Sequence, residues 1–149
     1  MADDARRSIE TPSGFADDHG SRDPHLSAAL QSGDATAVLA ILRAGARLLV
    51  PIVAVLDEAD ASGADKSSHM ASVSLVQSDG RRGLLAFTCL ESLKAWDPDA
   101  RPVPVAAPAV AAAAIAEGAD GVLVDIAGPV RFALDGDVLA ELASVSRDR

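Results

Sequence analysis

The stretch Gly80–Trp96, GRRGLLAFTCLESLKAW, decides how this chain folds. The pair Asp79-Gly80 at its start is a hairpin-turn signal. Gly83–Phe87 is a short apolar run of strand length. Thr88-Cys89-Leu90-Glu91 then matches the S/T-x-x-E pattern, in which a hydroxyl and a carboxylate satisfy free N–H groups at a helix start. Leu90, Leu93 and Ala95/Trp96 follow at helical spacing, and Asp97-Pro98 stops the helix. Turn, buried strand and helix follow one another with almost no gap.

Upstream, Asp23-Pro24 supplies an N-cap and a first-turn proline. Leu26, Ala29 and Leu30 share one face, and Gly33 ends that helix. Asp34 caps a second helix over Ala35–Ala44, with Val38, Leu39, Ile41 and Leu42 as its apolar stripe. Arg47–Leu56, RLLVPIVAVL, is continuous and rich in β-branched residues, which predicts a strand buried on both faces. Pro51 inside it removes a ladder donor and predicts a bulge or an edge. Asp57–Ser68 reads as an acidic loop. Met70–Gln77 alternates, with Ala71, Val73 and Leu75 opposite Ser72 and Ser74, as one half-exposed strand.

Downstream, Arg101–Ala106 carries Pro102 and Pro104 on the same side, which confines it to an edge. Pro108 opens an alanine-rich helix that ends near Gly118. Gly121–Ala127 is a further buried strand, Gly128-Pro129 turns the chain, and Val130–Leu134 returns. Asp135 caps a last helix, Gly136–Ala143. The predicted order is ααβββαβαββα. Hairpins dominate, so the expected class is α+β, with one mixed, largely antiparallel sheet and short helices packed on it, not a doubly wound fold. Residues 1–22 are expected to be a disordered tail, 23–145 one domain, and 146–149 a frayed end.

The chain has 149 residues and a net charge of −9, which disfavours nucleic acid and anionic membrane as partners because both need cationic surface. A single cysteine cannot form an internal disulfide and suits a reducing, cytoplasmic compartment. The longest apolar runs, Leu48–Leu56 and Val105–Ala116, fall short of a membrane span.

Cys89 is the one catalytic candidate, because a thiol at a strand-to-helix junction meets free N–H groups and the helix dipole. Against it, neither a second cysteine nor a nearby histidine accompanies it, and small buried thiols commonly fill such corners. Lys66, Ser67, Ser68 and His69 form a polar cluster entering a strand and are the candidate binding loop. His19, His25 and His69 show no metal-ligand spacing, and the acids Asp57, Glu58, Asp60 and Asp65 lack calcium-loop order, so no metal or cofactor is expected. Phosphate-cradling and nucleophile-elbow motifs do not occur.

Several segments together resemble the SseB N-terminal domain family in its actinobacterial form. They are Leu48–Pro51, Lys66–Ala71, Asp79–Arg82, Leu85–Thr88, Leu93, Trp96, Arg101–Pro104 and Gly128–Phe132. The similarity spans about Asp34–Ala143. The family takes its name from enhanced serine sensitivity, a phenotype, and the resemblance carries over no catalytic residue. An unrelated type III secretion translocator shares the name, but this chain lacks that protein's coiled-coil and membrane-seeking segments. His69 stands where similar sequences tend to have an acid, and Cys89 where they tend to have a small hydroxyl residue. The resulting expectation is a non-catalytic cytoplasmic binding or regulatory module for a protein partner or small ligand. The alternatives are an enzyme of sulfur or amino-acid metabolism using Cys89, and a subunit of a larger complex; a weak homo-oligomer stays open.

Overall fold

Asp23 starts the first helix as expected: its carboxylate accepts the N–H groups of His25 and Leu26, and Gly33 closes the helix in the left-handed conformation. The computed structural model describes residues 18–56 and 68–147. Their elements are α1 (Pro24–Ser32), α2 (Ala35–Arg43), β1 (Arg47–Leu56), β2 (Ser68–Ser72), β3 (Ser74–Val76), β4 (Arg82–Ala86), α3 (Leu90–Trp96), β5 (Arg101–Ala106), α4 (Ala107–Ala116), β6 (Gly121–Val124), β7 (Phe132–Asp135) and α5 (Gly136–Arg147).

The class is α+β, and pairing is mostly antiparallel. The expected single sheet is two sheets. One has the order β2-β1-β5 and the other β3-β4-β6-β7, with β4 and β6 its parallel pair. The division falls inside the segment read as one strand, Met70–Gln77. Up to Ser72 it pairs with β1; from Ser74 it pairs with β4. Val73 is the corner, and its carbonyl already accepts the Leu85 N–H. A second tie joins the sheets where Leu49 and Phe87 exchange backbone hydrogen bonds of 2.7 and 2.8 Å.

The prolines follow from this geometry, with one correction. β5 is an edge strand, as its two prolines require. Pro104 pairs with Leu49 and Pro102 with Pro51. Leu49 spends its backbone groups on Phe87, away from β5, so these pairs lie at non-bonded positions and the missing proline donors face the open edge. Pro51 makes neither bulge nor edge: β1 is central and its register with β5 is unbroken from Arg47 to Ile52. Its missing donor falls where pairing passes from Phe87 to β2, so no ladder bond is lost there.

Alternation along the central strands builds two cores. Leu48, Val50 and Ile52 of β1, Leu84 and Ala86 of β4, and Val122 and Val124 of β6 point into a larger core closed by α1, α2, α4 and α5. Leu49, Leu85 and Phe87 point the other way, into a smaller core under α3 with Leu93 and Ala100. Trp96 packs on Phe87 there, ring centroids 5.7 Å apart. Burying Phe87 fully contributes about 2–3 kcal/mol.

Two boundaries move. α5 runs to Arg147, beyond the expected end at Ala143. Residues 18–22, expected in the tail, lie on the domain: the Asp18 carboxylate pairs with Arg47, and the Gly20 carbonyl accepts the Leu90 N–H at 2.8 Å. Residues 1–17 lie outside the described residues.

Candidate functional site

The β4–α3 junction gathers the polar side chains buried in this fold. Directly after β6 stands Asp125, 2% exposed and left-handed at φ 55°, a conformation that aspartate tolerates better than most residues. Its carboxylate accepts the Thr88 N–H at 2.8 Å, the Thr88 hydroxyl at 2.6 Å and the Ser92 hydroxyl at 2.9 Å. The expected capping box therefore does not form. Cys89 holds the N-cap position without a side-chain cap bond, the Thr88 hydroxyl has gone to Asp125, and Glu91 pairs with Arg22. Both Thr88 donors are drawn to the buried carboxylate, which leaves Thr88 one residue before the N-cap.

Cys89 is 3% exposed, and its thiol donates to the Ser92 hydroxyl at 3.6 Å. Arg22 shares with it the lining of a small depression bordered also by Ser27, Gln31 and Pro129. That depression has a volume of about 20 Å³, room for a single water, while a more open hollow of about 340 Å³ is lined by Gly20, Ser21, Arg22, Cys89 and Glu91. The guanidinium of Arg22 is engaged 3.1 Å from Glu91. No imidazole lines the depression.

Residues 18–22 cross this corner as a strap. Arg47 Nε donates to Asp18 at 2.5 Å, and the rest of its guanidinium donates to the carbonyls of Thr88 and Ser21 at 2.6 and 2.5 Å. Both partners are largely buried, with side chains 12% and 16% exposed. Burial pushes the Asp18 carboxyl up, but the Gly20 N–H together with Arg47's hydrogen bonds and charge outweighs it and holds the group below the ordinary aspartate value.

A larger concave surface lies elsewhere. A half-open groove of about 410 Å³ runs between the α1–α2 pair and β7. Ala29, Leu30, Val38 and Leu39 form its helical wall; Val130 through Asp135 and Val138 form the other. Its volume lies within the range of ligand-binding clefts. Its linings are apolar except for Arg131 and Asp135, and Asp135 is met by Arg81 at 3.4 Å.

Among the described residues, those singled out in the sequence lie apart. Ser68 and His69 open β2, where they pair with Leu56 and Val55. Lys66 and Ser67, like Asp57, Glu58, Asp60 and Asp65, lie outside the described residues. His19 and His25 are exposed at separate points of the chain. Among the described residues no three His, Cys, Asp or Glu side chains group as metal ligands, no helix is long and apolar enough to cross a membrane, and every buried side-chain nitrogen or oxygen has a partner.

Sequence reading missed Asp125, Arg47 and the groove. For Asp125 a signal existed: an acid ending an apolar run directly before Ile-Ala-Gly-Pro is placed at a buried strand end. For the groove there was none, because its walls come from segments about a hundred residues apart.

Residues 25–141 match the family model described as SseB protein N-terminal domain. No curated protein and no solved structure matches the chain.

Proposed function

We propose, from the premise that the chain belongs to the SseB N-terminal domain family, that it is a non-catalytic cytoplasmic binding and regulatory module. Its chief binding surface is the groove between α1–α2 and β7. The observation that carries this reading is a contrast between two places. At the β4–α3 corner the buried polar groups spend their hydrogen-bonding capacity on one another. An assembled catalytic site needs a nucleophile poised beside a base, with space for a reacting atom. The groove is the opposite: open, apolar, and larger than any other concavity described for the chain. The lone cysteine supports a reducing compartment. Ser68 and His69, which open the outer strand of the three-stranded sheet, are a second candidate surface.

The test is a paired capture. The wild-type protein and Val138→Arg, which places a cation at an exposed lining position of the groove, are immobilised and challenged with lysate of the source cells. A component held by wild type and lost by the variant is the expected result. Identical retention by both, or retention of nothing, overturns the groove as the binding surface.

A further inference from the structure

β7 is the outer strand of its sheet. All four of its residues, Phe132 to Asp135, line the same groove, as do Val130 and Arg131 just before it. Successive side chains of a strand leave opposite faces, so a cleft touched by every residue in turn is touched by backbone. Beyond the ladder to β6, no backbone hydrogen bond joins residues 131–135 to any other described residue. The groove therefore sets an open row of N–H and C=O groups opposite an apolar helical wall.

We propose that this edge takes an extended segment of a partner protein as a fifth strand of the four-stranded sheet. The inference rests on the binding-module reading above and names the partner's chemistry. Main-chain pairing along β7 supplies affinity that is independent of sequence, and the side-chain pocket supplies selection. Every second side chain of the incoming strand points toward Leu30, Val38 and Leu39, so those positions are apolar. Arg131 is exposed, lines the groove, and makes no ion pair with a described residue. It fits a carboxylate side chain on the incoming segment. The chain's net charge of −9 disfavours a strongly acidic partner. A single carboxylate within an uncharged segment feels mainly Arg131, since charges beyond about 8 Å are screened at physiological salt.

A random-peptide phage library selected against the folded protein tests this. Enriched peptides are expected to alternate apolar and other residues, to carry one Asp or Glu, and to shift the amide resonances of residues 130–135. Arg131→Glu should weaken a selected peptide about tenfold, close to 1.4 kcal/mol. Replacing the peptide's acid by Lys should restore binding to that variant and not to wild type. N-methylation at alternate peptide positions should abolish binding by removing main-chain donors. Circular dichroism of Arg131→Glu confirms that the fold is kept, since the residue is exposed. Absence of any enriched peptide, enrichment of helical peptides, or binding indifferent to N-methylation overturns strand addition. If the capture experiment above still separates wild type from Val138→Arg, only the strand-addition inference falls and the binding module stands.

Discussion

Thr88 and Asp125 are 37 positions apart, yet the Thr88 N–H and hydroxyl both bind the Asp125 carboxylate, at 2.8 and 2.6 Å. This double contact ties the start of α3 to the end of β6. Ser92, one turn into α3, donates to the same carboxylate at 2.9 Å. Asp125→Asn keeps a residue that tolerates left-handed backbone while placing a donor where an acceptor is needed. It should cost about 3 kcal/mol, because buried donors lose a charged acceptor. Urea denaturation followed by Trp96 fluorescence measures it. A cost below 1 kcal/mol, on the order of one ordinary hydrogen bond, would show that the junction does not depend on this carboxylate.

Asp18 and Arg47 should give the protein a distinct acid limb. The carboxyl of Asp18 lies below its ordinary value of 3.8 when folded. Its stabilisation is therefore complete above that value and is lost as pH falls through the lower, folded one. Asp18→Asn should be less stable than wild type at pH 6, with the two converging in strong acid. Arg47→Ala, which also frees the Thr88 and Ser21 carbonyls, should cost about 3 kcal/mol. Urea midpoints from pH 6 downward decide it, and a constant gap across that range would contradict the assignment.

Cys89 should behave as a packing residue. Reaction with a disulfide reagent should be at least about a hundredfold slower in the native protein than in urea, since modification must wait for opening. Cys89→Ser should change stability by no more than about 1 kcal/mol, because serine suits an N-cap and can replace the thiol's contact with Ser92. Rapid labelling of the native protein near neutral pH would instead favour the sulfur-chemistry alternative.

Gly121 leaves no space for a side chain. A Cβ there would lie 2.7 Å from the Leu134 carbonyl oxygen, a backbone atom that cannot rotate aside. Gly121→Ala should destabilise by about 1–3 kcal/mol. Its partner across the parallel pair, Gly83, sits beneath Leu123, with only 2.5 Å from an added Cβ to Leu123 Cγ. Gly83→Ala in a Leu123→Ala background should then cost less than in wild type, a coupling that a double-mutant cycle measures.

The sequence alone determined what acts over a few residues. Asp23 with Gly33 bounds α1, Pro102 and Pro104 confine β5 to an edge, and the apolar run of β1 is buried on both faces from Leu48 to Ile52, though not at Ala54 and Val55. Caps, proline geometry and side-chain alternation reach no further than a turn or a neighbouring strand, so they survive any tertiary arrangement that keeps the element. The tertiary structure decided the rest. Nothing in Met70–Gln77 marks Val73 as the point where one strand leaves β1 for β4, since both halves alternate alike. Thr88 reads as a cap until Asp125 arrives from another strand, and Pro51 reads as a defect until Phe87 takes the bond beside it. The groove exists because α1–α2 and β7, distant in sequence, stand apart across an open sheet edge. Competition among distant partners for the same donor is a property of the closed fold and leaves no periodic trace in the chain.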